Sequence, residues 1–246
     1  MAGLNWLIER PVAHRGLHGN GLVENTMGAA RAAVEANFAI EADLLLTADN
    51  EVVVFHDETL DRLTTTTGPV ADRTLAELKQ ISIRGADERI PTLQELLDLV
   101  AGRTPLVLEL KSDWNGDEKL ARRVAEILSG YAGPVAAMSF DPDILMTLQK
   151  HAPGLPRGIV AERYYDDPEW HLLTRAQKFR LGNLLHIPQT KPHFIAYYIR
   201  DLPALAPLLA RHILGMKLLT WTVRTETDRR KARWWANQMI FEGFRP

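Results

Sequence analysis

The feature that most constrains the fold is a regular alternation of strand-like and helix-like segments along the whole chain. Short apolar runs recur, and most are followed by a stretch with helical periodicity. If the extended segment 51–56 is left out, the predicted strands are 11–14, 38–47, 105–111, 134–140, 157–162, 193–197, 217–223 and 238–243. Eight strands separated by helices predict parallel βαβ units that close into an α/β barrel of the TIM (β/α)8 type.

Helix start signals precede several of the intervening segments. Asn25 or Thr26 can cap the first helix, and Asp141 stands before a proline that suits the first helical position. Thr92 and Glu95 have the spacing of a capping box. The predicted helices are 24–37, 91–100, 117–130, one beginning at Pro142, most of 167–186, 201–213 and 226–237.

The segment from 57 to 89 interrupts this alternation. It is polar, contains the run TTTTGP, and has a single short helical pattern near LAELKQI. It therefore predicts a small insertion, at about 51–89, after the second barrel strand. We find no internal repeat and no linker, so the expected organisation is one domain over 1–246, a length that suits a barrel of about 250 residues.

Composition excludes several classes of function. The net charge is −2, which predicts neither a nucleic-acid partner nor an anionic membrane surface. The chain has no cysteine, so thiolate metal sites, cysteine nucleophiles and disulfides are excluded. No leader precedes the first strand, and no run reaches the roughly 18 apolar residues of a membrane span, so we expect a cytoplasmic protein without a transmembrane segment.

Two strands carry carboxylates near their carboxyl ends. Glu41 and Asp43 are two positions apart and so share one strand face, and Glu109 and Lys111 repeat the spacing. Two neighbouring acids inside a barrel repel each other unless a cation lies between them or one is protonated. We interpret the three acids as a site for a hard divalent cation, Mg²⁺ or Ca²⁺. The alternative is solvated acids, or salt bridges to Lys111 and Arg15.

Two of the eight histidines end apolar runs. His14 closes PVAH and His56 closes VVVFH, which is where barrel enzymes place catalytic groups. Two imidazoles beside a phosphate can act as acid and base, and the Arg15 guanidinium offers a fork of donors for that phosphate. The remaining histidines are expected to be structural or exposed: His18, His151, His171, His186, His193 and His212.

Together these motifs resemble the glycerophosphodiester phosphodiesterase family. The resemblance runs in order through HRG…ENT (14–26), EADLLLTADNEVVVFHDETLDRLT (41–64), IPTLQELL (90–97), LELK (108–111) and WTV (221–223). It implies a TIM barrel that hydrolyses glycerophosphodiesters to glycerol 3-phosphate and an alcohol with one divalent cation. It implies metal ligands at Glu41, Asp43 and Glu109, acid–base catalysis by His14 and His56, and substrate or phosphate contacts at Arg15, Lys111 and Trp221.

The chain departs from the family pattern at three positions. Val23 replaces a proline before ENT, Arg224 replaces an asparagine after WTV, and Glu242 stands where the last strand commonly ends in Thr-Asp. Two other functions stay open. One is a phospholipase D-like phosphodiesterase that acts on lysophospholipids, and the other is a non-catalytic barrel that binds metal or phosphate.

The source of the nucleophile is also a prediction. No cysteine exists, and no serine neighbours either histidine in the sequence. A glycerol 3-phosphodiester carries its own hydroxyl next to the phosphorus, so internal attack would pass through a cyclic phosphate. We assign His14 as base and His56 as acid, although the two roles can be exchanged. We expect the insertion to overhang the mouth of the barrel and to select the alcohol.

Overall fold

The computed structural model describes residues 3–246, with the exception of the Glu169 side chain. Within this range nine strands form one sheet. The strands are β1 Val12–Ala13, β2 Ala39–Leu46, β3 Val52–Val54, β4 Leu106–Leu110, β5 Val135–Ser139, β6 Arg157–Ala161, β7 Phe194–Tyr198, β8 Lys217–Val223 and β9 Gln238–Phe241.

Helices separate most of the strands. The α-helices are α1 Trp6–Glu9, α2 Met27–Glu35, α3 Leu75–Leu78, α4 Leu93–Val100, α5 Lys119–Leu128, α6 Pro142–His151, α7 Arg175–Gly182, α8 Ile187–Thr190, α9 Leu205–His212 and α10 Glu226–Trp235. Short 3-10 helices cover Val70–Asp72, Pro168–Leu172 and Ile199–Asp201.

The sheet closes on itself. Eight parallel strands follow the order β1-β9-β8-β7-β6-β5-β4-β2, and β1 also pairs with β2, with Val12 opposite Ala39. The remaining strand, β3, pairs antiparallel with the end of β2, with Val54 opposite Leu44. The predicted TIM barrel with an insertion after its second strand is therefore confirmed.

Boundaries differ from the sequence prediction at several helices. The helix predicted over 24–37 occupies only Met27–Glu35, and Thr26 is its cap because its hydroxyl accepts from the Ala29 N–H. Asn25 is not the cap, since its backbone is left-handed (φ 55°) and its side chain bonds elsewhere. The segment 167–186 is divided into a 3-10 helix and α7, and α9 begins at Leu205, after Pro203. The four-residue helices α1 and α8 were not predicted.

Alternation along the strands produces two layers of apolar packing. One set of side chains faces the surrounding helices, for example Ile40 and Leu108. The other set fills the barrel interior, for example Val107 and Val160. Full burial of such a side chain contributes about 1.5–3 kcal/mol. Because the alternation has a period of two, the next interior positions fall at the carboxyl ends of the strands, where polar side chains replace apolar ones.

The insertion has a small core of its own. Phe55, Leu60, Val70, Leu78 and Ile83 are buried against one another, although most of the segment is polar. Thr74 caps α3 through a capping box with Glu77. The segment is therefore held by apolar packing that includes Leu45, near the end of β2.

We expect His186 to make the protein less stable at mildly acidic pH. The ring is 5% exposed, and burial, with Arg180 adding to it, lowers its pKa from 6.5 to about 4. Between these two pKa values His186 is protonated in the unfolded chain and neutral in the folded chain. The free energy of unfolding therefore falls as the pH drops from about 6.5 towards 4. Between pH 7.5 and 5 this loss is about 2 kcal/mol.

Urea unfolding at the two pH values measures this loss. In His186→Gln the difference between pH 7.5 and pH 5 should be smaller by about 2 kcal/mol. His212→Gln, which replaces an exposed histidine, should keep the wild-type difference. An unchanged difference in His186→Gln would contradict the prediction.

Candidate active site

A cavity of about 1020 Å³ opens at the carboxyl ends of the barrel strands. All the residues singled out from the sequence line it: His14, Arg15, Glu41, Asp43, His56, Glu109, Lys111 and Trp221. They come from positions up to 207 residues apart in the chain. The barrel brings them together because its parallel strands all end at the same face.

The predicted metal ligands form one cluster. Glu41, Asp43 and Glu109 are buried, and each offers a carboxylate oxygen within 4.8 Å of the others. Glu41 Oε1 is buried without a hydrogen-bond partner among the described residues. Burial, followed by the charges of Asp43 and Glu109, raises the pKa of Glu41 well above its usual range. These oxygens fit a hard divalent cation, which would ligate Glu41 and remove the repulsion.

Two basic side chains pair with the same carboxylates. Lys111 Nζ lies 2.8 Å from Asp43 Oδ1 and also binds Glu109. Arg15 Nε lies 3.3 Å from Asp43 Oδ2. Burial alone would raise the pKa of Asp43, but Lys111, His56 and Arg15 outweigh it and hold that pKa well below its usual range. The salt bridges that the sequence analysis considered as an alternative therefore exist. The other alternative, that these three acids are solvated, is wrong, because the cluster is buried.

The HRG turn places Arg15 against the cluster. Arg15 has a left-handed backbone (φ 53°), and its N–H donates to Glu41 Oε2 at 2.8 Å. Gly16 follows with φ 78°, and a Cβ there would lie 2.9 Å from the backbone of Ala29. Asn25 binds the Arg15 carbonyl through its N–H and Asp43 through its side chain at 2.8 Å. The glycine is thus required by both conformation and space.

Each candidate catalytic histidine is oriented by a carboxylate. His14 Nδ1 lies 2.8 Å from Glu242 Oε2, and its Nε2 lies 4.0 Å from Glu41. His56 Nδ1 lies 2.7 Å from Asp57 Oδ1. Because an ionised carboxylate can only accept, both Nδ1 atoms are assigned as donors. Nε2 of a neutral ring is then the basic nitrogen. Burial lowers the pKa of His14, which favours that neutral form.

Glu242, one of the three departures named in the sequence analysis, has two partners. It binds His14 and also accepts from Arg224 at 2.9 Å. The hydrogen bond from His14, together with Arg224, keeps the pKa of Glu242 well below its usual range despite burial. The two departures at the last strands therefore form an ion pair behind His14. Arg224 directly follows the strand predicted over 217–223, and Glu242 lies near the end of the strand predicted over 238–243. These two positions indicated that the side chains could meet, but the pair was not predicted.

A second ionic network connects the insertion to the HRG turn. Glu24 accepts from Arg15 at 2.7 Å and from Arg62 at 2.8 Å. Arg62 also binds Asp57, the partner of His56, with its Nε 2.6 Å from Oδ2. Glu24 and Asp57 belong to the ENT and HD motifs, whereas Arg62 was not identified as a functional residue. The network holds the two histidine-bearing segments in one arrangement.

The cavity has two halves of different character. The charged half, at the ends of β9, β1, β2 and β4, contains the groups described above. The aromatic half, at the ends of β5 to β8, is lined by Phe140, Glu162, Trp170, Tyr198 and Trp221. The Tyr198 and Trp221 ring centroids are 4.9 Å apart, and those of Phe140 and Trp221 are 5.4 Å apart.

Most of the aromatic half was missed from the sequence. Trp221 was identified through the WTV motif, but Phe140, Glu162 and Tyr198 were not. Each of these three residues ends a predicted strand or directly follows one. Phe140 and Glu162 lie two positions beyond the interior residues Met138 and Val160, so extending the alternation would have found them.

Comparisons with known proteins identify the family of the chain. Residues 14–244 match the Glycerophosphoryl diester phosphodiesterase family. The chain is 33% identical over 229 residues to a protein named glycerophosphodiester phosphodiesterase from Caldanaerobacter subterraneus subsp. tengcongensis, covering 88% of this chain and 86% of that protein. It is 24% identical to a human protein named lysophospholipase D, covering 92% and 80%.

Solved structures share the fold. A phosphodiesterase of Oleispira antarctica, in complex with sn-glycerol-3-phosphate, superposes with a TM-score of 0.80 at 23% identity, covering 96% of this chain and 93% of that one. The glycerophosphodiester phosphodiesterase of Thermotoga maritima superposes with a TM-score of 0.73 at 25% identity, covering 95% and 94%.

Proposed function

Because the chain belongs to the glycerophosphoryl diester phosphodiesterase family and is a phosphodiesterase, we propose that it hydrolyses glycerophosphodiesters to glycerol 3-phosphate and an alcohol, with one divalent cation. The observation that carries this proposal is the buried cluster of three carboxylates, which shares one cavity with two carboxylate-oriented histidines. A barrel that only bound a ligand would have no use for two such histidines.

Glu41, Asp43 and Glu109 would hold the cation, Mg²⁺ or Ca²⁺. When bound, it supplies Lewis-acid chemistry and a template that neutralises and orients the phosphodiester. Arg15 and Lys111 line the cavity beside this cluster and are the groups that we assign to the phosphate oxygens. They also hold the pKa of Asp43 low, so this carboxylate is available to the cation at neutral pH.

The histidines move the protons. His14 Nε2 is the basic nitrogen of a ring whose Nδ1 is held by Glu242, so we assign His14 as the general base. It removes the proton of the substrate's own 2-hydroxyl, whose oxygen attacks the phosphorus. His56, whose Nδ1 is held by Asp57, enters this step with a proton on Nε2 as well and gives that proton to the departing alcohol. Water then opens the resulting cyclic phosphate with the two roles reversed.

A second candidate substrate class is lysophospholipid. The human relative is named lysophospholipase D, and Leu172, at the rim of the cavity, is 58% exposed. An exposed leucine at this position could contact an acyl chain. Asp113, Asp167 and His171 also line the cavity. Because these side chains are polar, they favour the smaller glycerophosphodiester over a lipid with an acyl chain.

A substrate panel tests the proposal. We expect purified protein, stripped of metal by chelation, to regain activity on glycerophosphocholine when Mg²⁺ or Ca²⁺ is added, with glycerol 3-phosphate as the product. Lysophosphatidylcholine should be turned over more slowly under the same conditions. Faster turnover of the lysophospholipid would favour the second candidate. Cation binding without turnover of either compound would show a non-catalytic barrel.

We further infer that the barrel and its insertion act as a single catalytic unit over 1–246. The insertion contributes Asp57, Glu58 and Thr59 to the cavity wall, which supports its predicted part in choosing the alcohol. Within residues 3–246, no helix is both long and apolar enough to cross a bilayer. Cytoplasmic location stays a prediction.

A further inference from the structure

Beside His14 the structure brings together a second group of side chains with the composition of a metal site. His14, His18 and Glu242 each offer one ligand atom, and these three atoms lie within 4.8 Å of one another. Glu242 contacts Nδ1 of His14 at 2.8 Å, whereas the other ring nitrogen, Nε2, lies 4.0 Å from Glu41. The group therefore uses the nitrogen of His14 that does not face the carboxylate cluster.

His18 is the member of this group to which the proposed mechanism gives no role. Its Nε2 is buried and has no hydrogen-bond partner among the described residues. A buried polar atom without a partner is unfavourable, and a neutral imidazole nitrogen is a common metal ligand. His14 and His18 are also separated by three residues, a spacing found for histidine pairs in zinc sites.

Backbone hydrogen bonds position the three side chains. The His14 N–H donates to the Phe241 carbonyl at 3.0 Å, so the end of β1 is fixed to the end of β9, which Glu242 directly follows. The residue before His18 donates its N–H to the Ala29 carbonyl at 3.0 Å. All three side chains are half-buried, so an ion can reach them from solvent.

The ligand chemistry of this group differs from that of the carboxylate cluster. Two imidazoles and one carboxylate form a set that is typical of Zn²⁺, which binds three protein ligands and water in a tetrahedron. Glu41, Asp43 and Glu109 offer only oxygen atoms, which suit Mg²⁺ or Ca²⁺. The two groups should therefore select different ions.

We propose that His14, His18 and Glu242 form an inhibitory site for a transition-metal ion of the Zn²⁺ type. The ion binds Nδ1 of His14, one ring nitrogen of His18 and one oxygen of Glu242. A neutral imidazole carries a single proton, which moves to Nε2 when Nδ1 binds the metal. Nε2 then cannot accept a proton from the substrate, so the general base is blocked. The inhibitory effect rests on the proposed function, whereas the binding of the ion does not.

The ion requires only small movements of these side chains. Zinc–ligand distances of about 2.0–2.2 Å place neighbouring ligand atoms about 3.4 Å apart, so the hydrogen bond between His14 and Glu242 must open by about half an ångström. Arg224, which also binds Glu242, is 52% exposed and can turn towards solvent.

Calorimetric titration with Zn²⁺ tests the site without turnover. Metal-stripped protein is first given excess Mg²⁺, which occupies the carboxylate cluster. We expect about one Zn²⁺ per chain and an affinity at least about tenfold weaker in His18→Gln. The control His212→Gln, at an exposed histidine, should keep the wild-type affinity. Equal affinity in the wild type and in His18→Gln would overturn the proposal.

Cobalt binding provides a second measurement if His18→Gln does not fold. The visible absorption of Co²⁺ is intense in a tetrahedral site and weak in an octahedral oxygen site. We expect the intense absorption in the wild type and in Glu41→Gln, and its loss in Glu242→Gln. Loss in Glu41→Gln with retention in Glu242→Gln would place the ion in the carboxylate cluster and contradict the proposal.

Kinetics test the inhibitory effect. In excess Mg²⁺, Zn²⁺ should inhibit hydrolysis of glycerophosphocholine, and further Mg²⁺ should not relieve the inhibition. His18→Gln should keep the uninhibited rate and require at least about tenfold more Zn²⁺ for half-inhibition. Relief by Mg²⁺ would assign the inhibition to the carboxylate cluster, and binding that depends on His18 but leaves the rate unchanged would refute the inhibitory role.

The two measurements separate this inference from the proposed function. If Zn²⁺ binding depends on His18 but no diester is hydrolysed, the metal site stands and the proposed function fails. If the diester is hydrolysed and Zn²⁺ inhibits the wild type and His18→Gln alike, the function stands and the inhibitory site is refuted.

Discussion

The 2-deoxy analogue of the substrate should be hydrolysed on the order of 10⁴-fold more slowly than the natural diester. In glycerophosphocholine the 2-hydroxyl is held next to the phosphorus, so its attack is intramolecular and has a large effective-molarity advantage over attack by water. The analogue, the phosphocholine ester of propane-1,3-diol, retains the phosphate for Arg15 and the carboxylate-bound cation. It lacks only the internal hydroxyl from which His14 would remove the proton.

The matched control is the ester of propane-1,2-diol. It has also lost one hydroxyl, but it keeps the hydroxyl next to the phosphorus, so we expect its rate to stay within about tenfold of the natural diester. The inhibition constant of the 2-deoxy analogue against the natural substrate should be close to the substrate's KM, because the binding groups are the same. Hydrolysis of the 2-deoxy analogue at a near-natural rate would show that water attacks directly.

Glu41→Gln should lower kcat on the order of 10³-fold and abolish the response to added cation. The reason is that Glu41 has a buried oxygen without a hydrogen-bond partner among the described residues and is surrounded by two further acids. Replacing the carboxylate with a neutral amide removes a ligand and also the repulsion. Thermal unfolding in EDTA should therefore show a variant at least as stable as the wild type, whereas added Mg²⁺ or Ca²⁺ should raise the Tm of the wild type and not that of Glu41→Gln.

Asp141→Asn is the control for this variant. Asp141 is also a buried acid, but it lies outside the cluster and caps α6, a role that asparagine can fill. It should keep both activity and the cation-induced rise in Tm. A Glu41→Gln protein with wild-type turnover after exhaustive chelation would show that the cluster is structural.

Ionic contacts connect the insertion to the residues that we propose for catalysis. Arg62 belongs to the insertion, and it binds both Asp57 and Glu24, which in turn orient His56 and Arg15. The part of the chain expected to select the alcohol therefore also contacts the residues that we propose as catalytic and phosphate-binding groups. Changes in the insertion that keep Arg62 should alter substrate preference more than turnover.

The elements that depend on local pattern could be predicted from the sequence. The alternation of strands and helices predicts a parallel sheet, because parallel strands need helical crossovers, and eight strands favour a closed barrel. The i, i+2 spacing of Glu41 and Asp43 is sufficient to place both on one strand face. Thr92 with Glu95 is sufficient for a helix start, because the capping box is local. The motif HRG was enough to locate the turn, because a turn depends on residues that are only a few positions apart in the chain.

Other features were decided only by tertiary structure, because they join residues that are distant in the chain. Glu242 meets His14 across 228 positions, and this contact exists only because β9 and β1 are neighbours in the closed sheet. The aromatic half takes one residue from each of several strands, and no single stretch shows that they share a wall. The pKa shifts of Glu41 and Asp43 in opposite directions also required the fold. Both acids are buried alike, and the basic groups that the fold places around Asp43, first Lys111 and then His56 and Arg15, hold the pKa of Asp43 low while that of Glu41 is raised.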